Sequence, residues 1–248
     1  MPARSNSIIA VWTAMPLESR YIARYLGFLV DRKCFGHDLV IRCIGIGARH
    51  VTAAQLDGAA VVLLAGFAGG LCPTLMVGDV VIDLPPEFPA LPKTFAARAG
   101  RIAHSPAPVL TAAAKAELFA STGALAVEME SGVVGPIAAA AGVPVVALRA
   151  ITDAAGDALD PVLLRCVDDM GRPRPAVLAK ELLRHPGLAP RLVRLAGAAR
   201  AAGRRLGQTV GDLLRLPEFE RFLALHERAQ ATESARADSI SNEQRQQH

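Results

Sequence analysis

Four carboxylates stand where apolar segments begin or end. Glu18 follows Ala14-Met15-Pro16-Leu17. Glu128 and Glu130 sit in Ala126-Val127-Glu128-Met129-Glu130-Ser131-Gly132, and Asp153 closes Arg149-Ala150-Ile151-Thr152-Asp153. Burying a carboxylate is costly unless something pairs with it or uses it. The edge of an apolar strand is where an α/β protein opens its binding crevice. Two such acids around one strand–helix–strand unit point to chemistry on a polar ligand.

The elements that must position these acids alternate. Ile8–Ala14 reads as a buried first strand and Pro16–Leu26 as a helix with proline at its start. Strands follow at Leu39–Ile46 and Val61–Ala65, with a helical stretch, Val51–Gly58, between them. Gly66-Phe67-Ala68-Gly69-Gly70-Leu71 reads as a glycine-rich turn, and Val77–Ile82 as a turn and another strand. Pro85–Pro92 is irregular. Val109–Ala120 is helical, Ala124–Val127 a short strand, Ser131–Ala141 a helix and Val143–Leu148 a strand. This alternation predicts an α/β protein: a mixed β-sheet flanked by helices, with added C-terminal helices.

Past Asp160 the composition changes. Leu178–Leu183 and Arg191–Leu206 read as helices, the second with Leu192, Leu195, Ala199, Ala202 and Leu206 along one face. Its other face carries Arg191, Arg194, Arg200, Arg204 and Arg205. Pro217–Arg228 reads as a shorter helix and Ala229–His248 as a disordered polar tail. The division expected is a catalytic domain over 1–210 and a short helix with a polar tail over 211–248.

The whole chain has 248 residues, 52% hydrophobic and 20% charged, enough for a substantial core. Aromatics are only 4%. That mix suits a Val-rich sheet covered by Ala-rich helices. Cys34, Cys43, Cys72 and Cys166 are scattered, without metal spacing or a disulfide framework. Reduced buried thiols are expected, hence a cytoplasmic setting. No secretory signal is read at the start, and no run reaches the roughly 20 apolar residues of a spanning helix. No P-loop, H-E-x-x-H or zinc spacing occurs, so no metal and no cofactor are expected. His50 and His104 read as structural.

Several segments resemble the nucleoside phosphorylase/nucleosidase superfamily, especially the methylthioadenosine/S-adenosylhomocysteine nucleosidases. They are Ala14-Met15-Pro16-Leu17-Glu18, Gly45-Ile46-Gly47, Ala68-Gly69-Gly70-Leu71 with Val77-Gly78-Asp79-Val80-Val81, Val127-Glu128-Met129-Glu130, and Arg149-Ala150-Ile151-Thr152-Asp153. They come in the family's order across about residues 8 to 155. Asp160-Pro161, then Asp168, Asp169, Gly171 and Arg172, then Leu182-Leu183-Arg184-His185-Pro186 and the Arg/Ala-rich helix are similar to the hopanoid-associated phosphorylases. Those enzymes act on adenosylhopane and release adenine.

The resemblance implies cleavage of a ribose–adenine bond through an oxocarbenium-like state, as in other glycosidic cleavages. Asp153 is then the general acid at adenine N7, which requires a site that raises its pKa. Glu130 clamps the ribose hydroxyls and Met129 packs on the sugar. Glu128, Phe67 and Thr152 complete the substrate site. Glu18 matches the carboxylate that activates water in the nucleosidases. Phosphorylases instead hold an anion. The resemblance to the hopanoid-associated enzymes makes phosphorolysis of adenosylhopane the expected reaction, giving adenine and ribosyl-hopane phosphate, with Gly69, Gly70 and Arg49 the candidates for phosphate. Phe67 stands where the family often has Ser or Thr. Open alternatives are a hydrolytic nucleosidase acting on a small thioether nucleoside, and a nucleoside-binding module without turnover.

The substrate expected is a small-molecule or lipid-linked adenosyl nucleoside. The arginine face can lie on anionic lipid, which would make the protein peripheral to the inner face of the membrane. Nucleic acid is not expected, because no aromatics interleave the basic residues. A homo-oligomer is expected.

Overall fold

The computed structural model describes residues 7–27, 33–229 and 232. The expected polar tail therefore lies almost wholly outside the described residues. The sheet is built on β1 (Ile8–Thr13), β2 (Lys33–Cys34), β3 (His37–Cys43), β4 (Ala59–Gly70), β5 (Val80–Asp83), β6 (Arg98–Ala99), β7 (Ile102–His104), β8 (Ala126–Glu128) and β9 (Val145–Asp153). The order is β2-β3-β1-β4-β9-β5-β6, with β8 on the end of β4 and β7 beside β8. β1, β3, β4 and β9 run parallel, whereas β5 and β8 pair antiparallel. The α/β mixed sheet read from the sequence is the one formed.

Both faces of the central strands are covered, which explains their continuous apolar runs. Ile9, Val11, Leu63, Val146 and Leu148 face one core, with Ile22 and Leu26 of α1 (Pro16–Leu26). Ala10, Trp12, Val62, Leu64 and Ala147 face the other, with Val134 and Ala138 of α3 (Ser131–Ala140). Between these helices in sequence lies α2 (Ala112–Thr122). Thr111 caps its start by accepting from the Ala114 amide, and Gly123 ends it in the left-handed region at φ 65°.

The C-terminal helices are α4 (Pro161–Arg165), α5 (Pro175–Arg184), α6 (Leu188–Leu213) and a helix over 217–229. α6 lies against α1 so closely that a Cβ on Gly203 would meet Tyr21 Cδ2 at 2.2 Å. Leu206, Val210, Phe219 and Phe222 join the first core. The arginine face of α6 is exposed as expected, but it is not uniformly unpaired. Arg191 binds Asp160 at 2.7 Å and Arg194 faces Asp157 at 3.7 Å, so both tie α6 to the loop after β9. Arg200, Arg204 and Arg205 have no ion pair among the described residues. No helix of the described residues is long and apolar enough to cross a membrane.

Three local readings change. Val51–Gly58 is not a helix but a single 3-10 turn, Ala53–Leu56, followed by Gly58 at φ 71°. The glycine-rich segment is no turn: it continues β4 to Gly70. The last strand does not stop at Leu148 but runs to Asp153. β4 pairs with β9 along this whole length, and the register slips by one residue at its end. Ala68 faces Ile151, but Gly69 faces Asp153, so Thr152 is the extra residue of a bulge. That bulge sets the direction of Asp153.

Candidate active site

The ends of β4, β8 and β9 and the start of α1 converge on one cavity of about 520 Å³. Glu18, Glu128, Glu130 and Asp153 all line it, as do Met129, Phe67, Thr152, Gly69 and Arg49. Of the expected site residues only Gly70 does not reach the lining among the described residues. Asp168 and Asp169 add two more acids from the segment after α4. Pro108, Val109, Leu159, Leu164 and Val167 give the same cavity an apolar wall.

Glu18 is buried in the first turn of α1. Its two oxygens accept the Met15 and Phe67 amides, each at 2.7 Å. The first bond closes the N-terminus of α1 and the second ties that helix to β4. Burial raises the Glu18 pKa to about 7, against the lowering pull of the two amides and of Arg149. A carboxyl poised there can take a proton near neutral pH.

Arg149 supplies the countercharge from behind the cavity. It is fully buried on β9 and bonds both Glu128 and Glu130, the second at 3.3 Å. Glu128 is fully engaged in this scaffold: it accepts the Glu130 and Ser131 amides and the Ser131 hydroxyl besides Arg149. Burial works against its charge, but Arg149 and the Ser131 hydroxyl win and hold it down at about 2. Glu130 differs. It accepts the Gly47 amide at 3.0 Å and only a long bond from Arg149. Burial, with the neighbouring Glu128 charge, raises its pKa above the usual carboxylate range despite Arg149. Glu130 is thus the acid with bonding capacity left for a ligand, and Glu128 the one that holds the turn.

Gly66 makes room for this cluster. A Cβ there would stand 2.9 Å from both Arg149 Nη1 and Glu18 Oε1. Gly66→Ala is expected to displace the pair and lower stability by about 1–3 kcal/mol, the cost typical of overpacking. Thermal unfolding of the variant checks this, and an unchanged midpoint would mean that the cluster has slack.

Asp153 is buried at the end of β9. Its Oδ1 accepts the Thr152 hydroxyl at 2.9 Å, and Oδ2 is bonded by Lys115 of α2. Lys115 has no exposed surface, and its other bonds go to the carbonyls of Ala154 at 2.8 Å and Asp157 at 3.1 Å. Gly69 is needed where these side chains cross β4: a Cβ would lie 3.1 Å from Asp153 Oδ2 and 3.7 Å from Lys115 Cε. A site that raises the Asp153 pKa was expected; the structure instead sets a buried cation beside it. Gly69 and Gly70, expected to offer amides to an anion, are instead strand residues paired with Val127 and Ala126 of β8. Arg49 is exposed at the cavity and is the single cation lining it among the described residues.

Sequence reasoning missed Lys115, and gave Arg149 and Gly66 no part. The only signal for Lys115 was one lysine amid Ala112-Ala113-Ala114. Arg149 was visible as a charge at the end of the apolar run Val143–Leu148, where only a buried partner could tolerate it. No group of residues able to hold a metal occurs among the described residues.

Residues 90–184 match the family model of the phosphorylase superfamily. That stretch contains α2, β8, α3 and β9, and hence Lys115, Glu128, Glu130, Arg149 and Asp153. No curated protein sequence matches the chain. Among solved structures, futalosine hydrolase of Helicobacter pylori shares 16% identity over 84% of this chain and 97% of its own, with a TM-score of 0.56. The S. pneumoniae 5′-methylthioadenosine/S-adenosylhomocysteine nucleosidase, bound to a transition-state inhibitor, shares 19% over 84% of this chain and 98% of its own, at 0.54. The Helicobacter pylori nucleosidase of the same name shares 19% over 85% and 100%, at 0.53. These structures have the fold found here, the α/β fold of nucleoside phosphorylases and nucleosidases.

Proposed function

We propose that this chain cleaves the N-glycosidic bond of an adenosyl nucleoside and releases adenine, with adenosylhopane the substrate to which the sequence resemblance points. The observation that carries the reading is the convergence of Asp153, Glu130 and Glu18 on one cavity. Asp153, paired with Lys115, meets the base. Glu130, with oxygens to spare, accepts hydrogen bonds from the 2′- and 3′-hydroxyls. Glu18, poised near pH 7, meets the nucleophile. The nucleosidases and the futalosine hydrolase of similar fold support this reading.

The geometry supports water as the nucleophile best. The lining carries Glu18, Glu128, Glu130, Asp153, Asp168 and Asp169 against Arg49 alone. Even with Arg149 and Lys115 behind the lining, that balance is acidic and opposes a phosphate dianion, and Gly69 and Gly70 give their place to sheet pairing. Phosphate is the second reading. Arg49 and the resemblance to the hopanoid-associated phosphorylases favour it, and the product would then be ribosyl-hopane phosphate.

The apolar wall of Pro108, Val109, Leu159, Leu164 and Val167 suits a 5′ substituent without charge. Comparing kcat/KM for adenosine bearing a long apolar 5′ group with that for methylthioadenosine tests this. A preference for the small thioether would overturn the lipid-linked substrate and leave the cleavage.

Glu130→Gln is expected to slow cleavage of ribosides far more than of the matching 2′-deoxy nucleosides, because the deoxy sugar has no 2′-hydroxyl to lose. A buried charge-assisted hydrogen bond of this kind is worth roughly 1.5–3 kcal/mol, or about ten- to a hundredfold in rate. Steady-state rates on the paired substrates measure it. Equal small losses on both would remove Glu130 from the ribose.

A further inference from the structure

Among the described residues, Lys115 is the one buried cation that touches the acid expected to protonate the leaving base. Resting on the reading of Asp153 above, we propose that Lys115 is the proton reservoir for that acid, feeding N7 of the departing base through the Asp153 carboxylate. Lys115 does not itself touch the substrate; it acts through Asp153.

The placement fits this role. A lysine side chain has three N–H donors, and all three are used: on Asp153, on the Ala154 carbonyl and on the Asp157 carbonyl. The two carbonyls fix the amine so that its third proton points at Asp153. Asp153 in turn keeps Oδ1 on the Thr152 hydroxyl, within the bulge that turns it to the cavity. Other charges nearby are committed elsewhere. The Asp157 carboxylate accepts the Ala154 amide at 2.9 Å and faces Arg194 of α6. β4 meets the pair at Gly69, which brings no side chain. Glu18, Glu128, Glu130 and Arg149 form the separate cluster that meets the sugar and nucleophile.

The proton balance closes. As the C1′–N bond breaks, its electron pair goes to the base and N7 becomes more basic. The Lys115 ammonium gives a proton to the Asp153 carboxylate, and the carboxylic acid so formed delivers it to N7, leaving a neutral amine and an ionised Asp153. The attacking water forms the new C1′–O bond and loses its proton to Glu18. After adenine leaves, Glu18 releases that proton to solvent, and Lys115 regains one through Asp153 at the open cavity. Net, water and nucleoside become free sugar and adenine.

Two variants separate supply of a proton from support of the fold. Lys115→Arg keeps the cation but cannot release a proton. It is expected to lose roughly a hundredfold or more in adenine release at every pH. Lys115→Met leaves Asp153 buried without a cation, and such a carboxyl holds its own proton to higher pH. Compared with the wild type at the same pH, that variant is expected to be least impaired at low pH and to fall further behind as pH rises. A nitrophenyl riboside, whose leaving group departs as a stable anion, is the second measurement, and both variants should lose far less on it.

Equal losses on adenine and nitrophenolate substrates would make Lys115 a structural staple. So would wild-type pH profiles in both variants. In either case the function reading stands, because the wild type still releases adenine and Asp153→Asn does not. A wild type that cleaves no adenosyl nucleoside overturns the function reading and this inference together.

Discussion

Asp153→Asn is expected to lower the rate of adenine release by roughly a hundredfold to ten-thousandfold, the range that general acid catalysis supplies. The amide matches the carboxylate in shape, but it cannot relay a proton from Lys115 to the base. Its effect on stability is also large. Lys115 has no exposed surface, and Asn would leave its ammonium without a counter-ion. Breaking a buried pair from one side costs about 3–5 kcal/mol. Low activity alone would therefore be ambiguous. Asp153→Asn with Lys115→Met removes both charges, and it is expected to recover much of the stability while staying inactive. Denaturant midpoints and adenine release, measured on the same preparations, separate the two effects. A stable double variant with near-normal turnover would take Asp153 out of the chemistry.

Glu18→Gln is expected to abolish most turnover, again by roughly a hundredfold to ten-thousandfold. Glu18 must be ionised to accept a proton from water. With its pKa near 7, the wild-type rate should rise about tenfold per pH unit below 7 and level off above it. The Gln variant should show no such limb. Stability responds in the opposite direction. Glu18 titrates near 4.5 as a free side chain and near 7 when buried. Between those values the folded state keeps a proton that the unfolded chain has lost. Stability contributed by Glu18 therefore falls as pH rises through that window, by an amount of the order of 3 kcal/mol, and is not regained above it. The midpoint of Glu18→Gln should gain on the wild type as pH rises from 5 to about 8. A rate that keeps its limb in the variant would move the role of base to another group. Mild loss with strict phosphate dependence would favour the phosphate reading.

Much of this site was legible because burial leaves a signature. Apolar runs marked β1, β4 and β9, and the acids that follow β1, close β8 and close β9 are the ones that meet in the cavity. What the runs did not show is where the strands stop. Gly66, Gly69 and Gly70 read as a turn because glycine is rare inside strands, yet here it serves close approach. At Gly66 the crowding comes from Glu18 and Arg149, and at Gly69 from Asp153 and Lys115. These neighbours come from other elements, so no local pattern announces them. Arg149 likewise looked like the end of a strand, because its buried charge is tolerable only beside Glu128 and Glu130, far away in sequence. Lys115 stands 38 residues from Asp153, in a helix whose composition predicts an ordinary solvated lysine. Val51–Gly58 failed as a helix for a simpler reason: Thr52 and Gln55 close a single turn, and Gly58 at positive φ ends it.

The most direct measurement is adenine release by the wild-type protein from adenosylhopane and from methylthioadenosine, each with and without phosphate. Adenine is expected from the adenosyl substrate with the apolar 5′ group, at a rate that phosphate does not change. No adenine from either nucleoside, under either condition, would contradict N-glycosidic cleavage as the function of this cavity.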